Sequence, residues 1–262
     1  MEEFEVPILL SGQRVVVRWD RACSATTGAS SQSFGTSSID CDFSDAADAP
    51  NGSGDNAIAP LDVVYLLTDD DADAVWDSVR ELVASDFVSV SISGFDWNSA
   101  LTPWECPGIF RDDEPFSGDA AKQLGILLGE IIPAVEAEFA GKTIRRTIAG
   151  YSLAGLFAVW SLFQTDAFAC AASASGSLWY PGFVEYVQGN AFAGSPEHAY
   201  FSLGGKESRT PSRLLRNVED NTREIVRIFK ARGVETVFEM NPGNHFKDTE
   251  LRMAKAIVTC LR

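Results

Sequence analysis

In the string Ile148-Ala-Gly-Tyr-Ser-Leu-Ala-Gly155, Ser152 is flanked by Gly150 on one side and by Ala154 and Gly155 on the other. A serine hydroxyl is a weak nucleophile until a neighbouring base takes its proton, and that base is most often an imidazole. The chain offers two imidazoles, His198 and His245. His198 stands in Glu197-His-Ala-Tyr200, ahead of an apolar run, whereas His245 ends a turn-rich stretch, Asn241-Pro-Gly-Asn-His-Phe246. Where a serine sits on a strand-to-helix turn, the acid and then the histidine follow it along the chain, and this order selects His245. The acid that would hold the tautomer of the imidazole is expected after the run Tyr200–Leu203, in Gly204-Gly-Lys-Glu207. Glu207 is the first choice. Asp220 and Asp248 are alternatives, as is a serine–histidine pair without a strong acid.

The elements that must position these groups can be read from apolar spacing. Short strand-like runs open the chain at Phe4–Leu10 and Val15–Trp19. A polar stretch, 21–60, then reads as a long loop or insertion. From Asp62 onward, strands alternate with helices. Asp62–Leu67, Phe87–Ile92, Thr143–Ala149, Ala169–Ser175, Tyr200–Leu203 and Thr236–Met240 are strand-like, and the first is a nearly continuous apolar run, as in a strand buried on both faces. Helical spacing covers 72–83, a stripe from Leu124 to Val135 with Asp119 as its cap, Leu153–Gln164, 213–232 ending at Gly233, and 249–261. In the last helix, Leu251, Ala254, Ile257, Val258 and Leu261 are expected to face inward. This alternation predicts an α/β chain with a mostly parallel sheet covered on both faces, in one domain over 1–262. Residues 94–118, with Trp97, Trp104 and Phe110, form a long connection of the kind that shapes binding sites.

Within that frame Ser152 projects from a sharp bend with a helix N-terminus behind it, a setting that favours the oxyanion of acyl transfer. A serine that only caps the helix is the plainer alternative. Two backbone donors are needed for the oxyanion. One is the N–H of Leu153, and the other falls after the strand Asp62–Leu67, near Thr68, Asp69 or Asp70. The run Asp69-Asp-Asp71 is unusual there, because carboxylates near an oxyanion oppose it. Its side chains are expected to point to solvent.

Composition narrows the partners. The 262 residues carry a net charge of -16, from 37 acidic and 21 basic residues, and 45% of residues are hydrophobic. Such a surface repels nucleic acid and anionic lipid; its plain role is solubility, and a preference for uncharged or cationic substrates is the sharper alternative. Five scattered cysteines without a Cys-x-x-Cys pair suggest neither a zinc site nor a disulfide framework, and point to a reducing, cytoplasmic setting. The acidic start Met1-Glu2-Glu3-Phe4-Glu5 shows no signal-peptide pattern, and no apolar run approaches the ~20 residues of a membrane helix. No metal or cofactor is expected. A homo-oligomer is left open.

Several segments together resemble the esterase D-like (putative esterase) family of α/β-hydrolases, which includes enterochelin-type siderophore esterases, feruloyl esterases and S-formylglutathione hydrolases. They are Val63-Val-Tyr-Leu-Leu67, Leu101-Thr-Pro-Trp104, Gly150-Tyr-Ser-Leu-Ala-Gly155, Ser175-Gly-Ser-Leu-Trp179, Phe201-Ser-Leu-Gly204 with Lys206-Glu207, and Gly243-Asn-His-Phe246, over roughly residues 60–262. The resemblance implies the α/β-hydrolase fold and metal-free hydrolysis of an ester or thioester, with Ser152 as nucleophile, His245 as base and Glu207 as acid. The chain departs from the family in Thr68-Asp-Asp-Asp71, where a glycine-rich oxyanion segment is common, and in Ala154, where glycine is usual. Trp97, Trp104 and Trp179 are candidate walls of an acyl or aromatic-ester pocket. The expected function is a serine esterase acting through an acyl-enzyme on a small-molecule ester. An acyltransferase, or a binding relative without turnover, is the alternative.

Overall fold

The computed structural model describes residues 2–5, 11–20, 60–70, 72–109 and 113–261. All of them fall in one unit, Met1–Ala22 with Pro60–Arg262. The polar stretch 21–60, apart from Pro60, lies outside the described residues, as do Asp71, Phe110, Cys23 and Cys41.

The strands are β1 (Glu2–Glu5), β2 (Arg14–Asp20), β3 (Leu61–Leu67), β4 (Phe87–Ser93), β5 (Ile144–Tyr151), β6 (Cys170–Ala174), β7 (His198–Gly204) and β8 (Glu235–Asn241). They form one sheet in the order β1-β2-β4-β3-β5-β6-β7-β8. β2 is antiparallel to β1 and to β4, and every pairing from β4 to β8 is parallel. The helices are α1 (Asp73–Leu82), α2 (Trp97–Ala100), α3 (Ala120–Ile126), α4 (Ile132–Glu136), α5 (Leu153–Ser161), α6 (Phe183–Gly189), α7 (Arg213–Arg216), α8 (Val218–Ala231) and α9 (Thr249–Cys260).

β3 shows why its apolar run is continuous. Val63, Tyr65 and Leu67 point into a core shared with α3 to α6 and α8, while Val64 and Leu66 point into a second core with Trp76 and Val79 of α1 and Met253, Ala254 and Ile257 of α9. Alternate side chains leave opposite faces of a strand, so a strand covered on both sides needs apolar residues at every position.

Several expected details differ. Asp119 precedes α3 but does not cap it with its side chain; its carboxylate accepts the hydroxyl proton of Ser99. The stripe from Leu124 to Val135 is not one regular helix, because a π turn, Leu127–Ile131, separates α3 from α4. The helix expected over 213–232 is two, joined at Asn217, whose ψ is 0°. The one expected over Leu153–Gln164 stops at Ser161. The connection 94–118 contains a helix, α2, capped by the Asp96 carboxylate, which accepts from the N–H of Ser99 at 2.7 Å. α6 covers a segment for which the apolar spacing predicts no helix. In α9 the inward face includes Arg252 and Met253, and Leu251 is 47% exposed.

Candidate active site

The loops that follow β5, β7 and β8 at their carboxyl ends converge, as expected where parallel strands deliver their loops to one edge of a sheet. Ser152 sits between β5 and α5 with φ 57° and ψ -120°, a left-handed backbone that non-glycine residues rarely adopt. The bend is tight enough to dictate its neighbours. A Cβ on Gly150 would lie 2.4 Å from the carbonyl carbon of Ala154, and one on Gly155 would lie 2.8 Å from the Ser173 hydroxyl. The small residues around Ser152 therefore have a steric cause. Ala154 fits as it stands, with no exposed surface.

The Ser152 hydroxyl lies 3.1 Å from His245 Nε2, and His245 Nδ1 lies 2.9 Å from Glu207 Oε2. A carboxylate can only accept here, so Nδ1 carries the proton and Nε2 is left to accept from Ser152. His198, the other histidine, begins β7 and faces Glu235, 3.5 Å away. Asp248 caps no helix with its side chain and lies 4.0 Å from Lys247. Of the acids weighed from the sequence, Glu207 is the one hydrogen-bonded to the imidazole.

Glu207 is held from several sides. Its side chain is 5% exposed. Oε1 accepts from the Ser175 hydroxyl at 2.8 Å, from the Gly204 N–H at 2.5 Å and from an Arg252 guanidinium nitrogen at 3.2 Å, which leaves Oε2 for His245. Burial is the largest influence on this carboxyl and opposes its charge. The hydrogen bonds from His245, Gly204 and Ser175, together with the charge of His245, outweigh burial, and the carboxyl sits below its usual pKa.

Two residues that the sequence reading did not single out complete the arrangement. The Ser177 hydroxyl lies 3.2 Å from that of Ser152, and the Ser177 N–H donates to the Ser152 carbonyl at 2.9 Å. Arg252, 1% exposed on α9, reaches under Glu207. Ser175-Gly-Ser177 carries a family resemblance but no chemical pattern of its own, and nothing in the spacing of a helix marks an inward arginine.

Ser152 and His245 lie where two cavities meet. The first, about 470 Å³, is walled mainly by Trp97, Ile109, Phe116, Trp179, Leu215 and Val218. The second, about 360 Å³, is more polar and includes Thr68, Asp69, Asp70, Tyr151 and Glu250. Trp97 and Phe246 line both. Trp179 lines the first cavity and Trp97 lines both, beside Ser152. Trp104, also expected as a pocket wall, lines neither cavity. Its ring packs on Tyr180, Phe183 and Tyr186, and its indole N–H donates to the Pro181 carbonyl at 3.0 Å. A loop tryptophan near a site can face a ligand or pack within the fold, and the contacts of Trp104 are of the second kind.

Leu153 is the first residue of α5, so its N–H belongs to the helix's opening turn, where no intrahelical partner exists. Asp69 and Asp70 are exposed and border the second cavity. The Asp70 carboxylate is taken up by its own loop, accepting from the Ala72 N–H at 2.7 Å and the Thr68 hydroxyl at 3.0 Å.

A mostly parallel sheet covered on both faces, with a serine on its strand-to-helix elbow and an acid and a histidine on two later loops, defines the α/β-hydrolase fold and the class of serine ester hydrolases. Residues 38–245 match the family described as Putative esterase, and the chain belongs to that family. Among solved structures it is similar to the siderophore hydrolase EstB from Aspergillus nidulans, with TM-score 0.66 and 16% identity, over 99% of this chain and 94% of that one. The IroE-like serine hydrolase from Shewanella oneidensis gives TM-score 0.68 and 14% identity, over 98% of this chain and 79% of that one. The enterobactin and salmochelin hydrolase IroE gives 0.59 and 20%, over 98% and 92%. A comparison with curated proteins finds no match.

Proposed function

We propose that this esterase works through Ser152, His245 and Glu207, and that it takes uncharged esters with an aromatic or bulky apolar group. The carrying observation is the unbroken chain of contacts from Ser152 Oγ through His245 to Glu207, 3.1 and 2.9 Å, opening on a largely apolar cavity. Ser152 gives its proton to His245 Nε2 as its Oγ bonds to the ester carbon, and the carbonyl electrons move onto oxygen. The Leu153 N–H and a backbone N–H at Asp69 or Asp70 hold that oxyanion. On collapse the alkoxy group leaves and takes the proton from Nε2. Water then attacks the acyl-enzyme with the same base, and the acid leaves with Ser152 restored. Glu207 stabilises the imidazolium at each passage.

Three observations support the substrate class. The cavity walls are aromatic and aliphatic, the net charge of -16 disfavours anionic ligands, and one similar structure is named a siderophore hydrolase and another an enterobactin and salmochelin hydrolase. The unpaired thiols of Cys106, Cys170 and Cys260 suit a cytoplasmic protein. No helix among the described residues is long and apolar enough to cross a membrane. A fluorophosphonate probe followed by peptide mapping tests the nucleophile. Label on Ser152 is expected, and an unlabelled Ser152 in active enzyme would sink the assignment. A panel of aromatic, lactone, short-chain and thioester substrates then ranks the acyl groups.

Phe246 offers a separate check on the cavities. It is 84% exposed, stands edge-on to His245 and borders both cavities. Exposed in the free protein, it contributes little to folding; covered by substrate, its ring is worth about 1 kcal/mol or a little more. Phe246→Ala is therefore expected to raise KM for aromatic esters about fivefold with the melting temperature nearly unchanged, as read by initial rates and thermal denaturation.

A further inference from the structure

Arg252 lies seven residues beyond the segment that matches the family. It is almost fully buried, with 1% of its surface exposed. A buried guanidinium with no structural purpose is costly, so its partners matter. One terminal nitrogen donates to Glu207 Oε1 at 3.2 Å, to the Ser175 hydroxyl at 3.1 Å and to the Tyr151 hydroxyl at 3.2 Å. The other donates to the Pro242 carbonyl at 2.8 Å. The Tyr151 hydroxyl in turn donates to the His245 carbonyl at 2.6 Å. One side chain thus touches the loop of the acid, the loop of the histidine and the residue before the nucleophile.

We propose that Arg252 is a positioning residue that clamps the acid and base loops together and, as a permanent cation behind Glu207, sets the pH at which His245 is free to act. The proposal rests on the assignment of Ser152, His245 and Glu207 made above. Its logic is electrostatic. Glu207 shares its negative charge between two cationic partners, Arg252 on Oε1 and the protonated imidazole on Oε2. The arginine is always charged, so it weakens the hold of the pair on a second proton. Removing the arginine leaves Oε1 with its neutral donors, Ser175 and Gly204, and the imidazole as the cation on the carboxylate, so the imidazole then keeps its proton to higher pH. The other groups facing this pair stay in place. Glu207 faces the Tyr151 phenol beyond Arg252, and the imidazole faces the Tyr151 ring and, across the second cavity, Asp69, Asp70 and Glu250. Lys247 lies beside Asp248. Arg252 lines neither cavity, so its loss acts on turnover and not on substrate capture.

The test compares pH profiles of kcat and kcat/KM for p-nitrophenyl butyrate in the wild type, Arg252→Met, Arg252→Lys and Tyr151→Phe, with Ser152→Ala as blank. Arg252→Met is expected to move the acid limb upward by about one pH unit, the size of one nearby charge in a partly screened interior. It should also lower kcat about tenfold or more with KM within twofold. Arg252→Lys keeps the charge and loses the fork, so the limb should return towards the wild type while kcat recovers only in part. Tyr151→Phe removes a strut but no charge, so kcat should fall without a shift of the limb. An Arg252→Met enzyme with an unmoved limb and unchanged kcat overturns the proposal. If Arg252→Met does not fold, Arg252→Lys decides: a severalfold lower kcat at constant KM supports the clamp, and a wild-type kcat overturns it. Turnover persisting in Ser152→Ala would instead overturn the underlying assignment, so the two failures are distinguishable.

Discussion

Replacing Ser152 with alanine is expected to lower kcat for p-nitrophenyl butyrate by about 10⁴-fold or more, and His245→Ala by a similar factor. The two changes together should be no worse than either alone. In the proposed mechanism Ser152 attacks only as His245 takes its proton across 3.1 Å, so each residue without the other has nothing to do. What survives is the contribution of the oxyanion donors and of substrate binding, which neither substitution removes. Steady-state rates on the single and double variants check this. Multiplicative losses would show that the two groups act independently and would undo the assignment.

The second large effect concerns Glu207→Gln, which should appear in both activity and folding. The amide still fills the space beside His245 Nδ1, but it carries no charge to stabilise the imidazolium, so kcat is expected to fall about 10²- to 10⁴-fold. Arg252, 3.2 Å away and 1% exposed, then keeps a positive charge without its counter-charge. Breaking a buried pair on one side costs about 3–5 kcal/mol. The pH dependence has a definite sign. The carboxyl of Glu207 lies below its ordinary value in the folded chain, so the stability it contributes is present above the usual carboxylate range and is lost as pH falls through its folded value. Urea midpoints of the wild type and Glu207→Gln should therefore stand far apart near neutral pH and converge in acid. Equal midpoints at neutral pH would contradict the buried pairing.

The order Ser152, Glu207, His245 was legible because each lies on a turn that the alternation of strands and helices marks: an apolar run, then small or polar residues, then helical spacing. The steric demand at Gly150 and Gly155 could be inferred from the same bend. The alternation also exposed the doubly covered strand β3, since a run such as Val63-Val-Tyr-Leu-Leu67 has no polar face to offer water. Registers inside the last helix were harder. Choosing Leu251 as inward favours hydrophobicity, yet α9 turns Arg252 inward because Tyr151, Ser175, Glu207 and Pro242 supply a polar niche built at the carboxyl ends of four strands, β5 to β8. No local pattern records such a niche. Trp104 and Trp97 look alike in the sequence, each in the connection 94–118. Their separation into a ring packed within the fold and a cavity wall depends on α6, which follows Pro181-Gly182 and places Phe183 and Tyr186 against Trp104. The π turn within Leu127–Ile131 likewise leaves no trace in the apolar stripe.

The left-handed backbone at Ser152 bears on how this chain can drift over evolutionary time. A side chain held at φ 57° costs on the order of 1–3 kcal/mol, and glycine escapes most of that cost. A lineage released from ester chemistry would become sturdier by a single exchange of Ser152 for glycine, and the same step would extinguish its turnover. Stability and nucleophile presentation therefore pull in opposite directions at this one position.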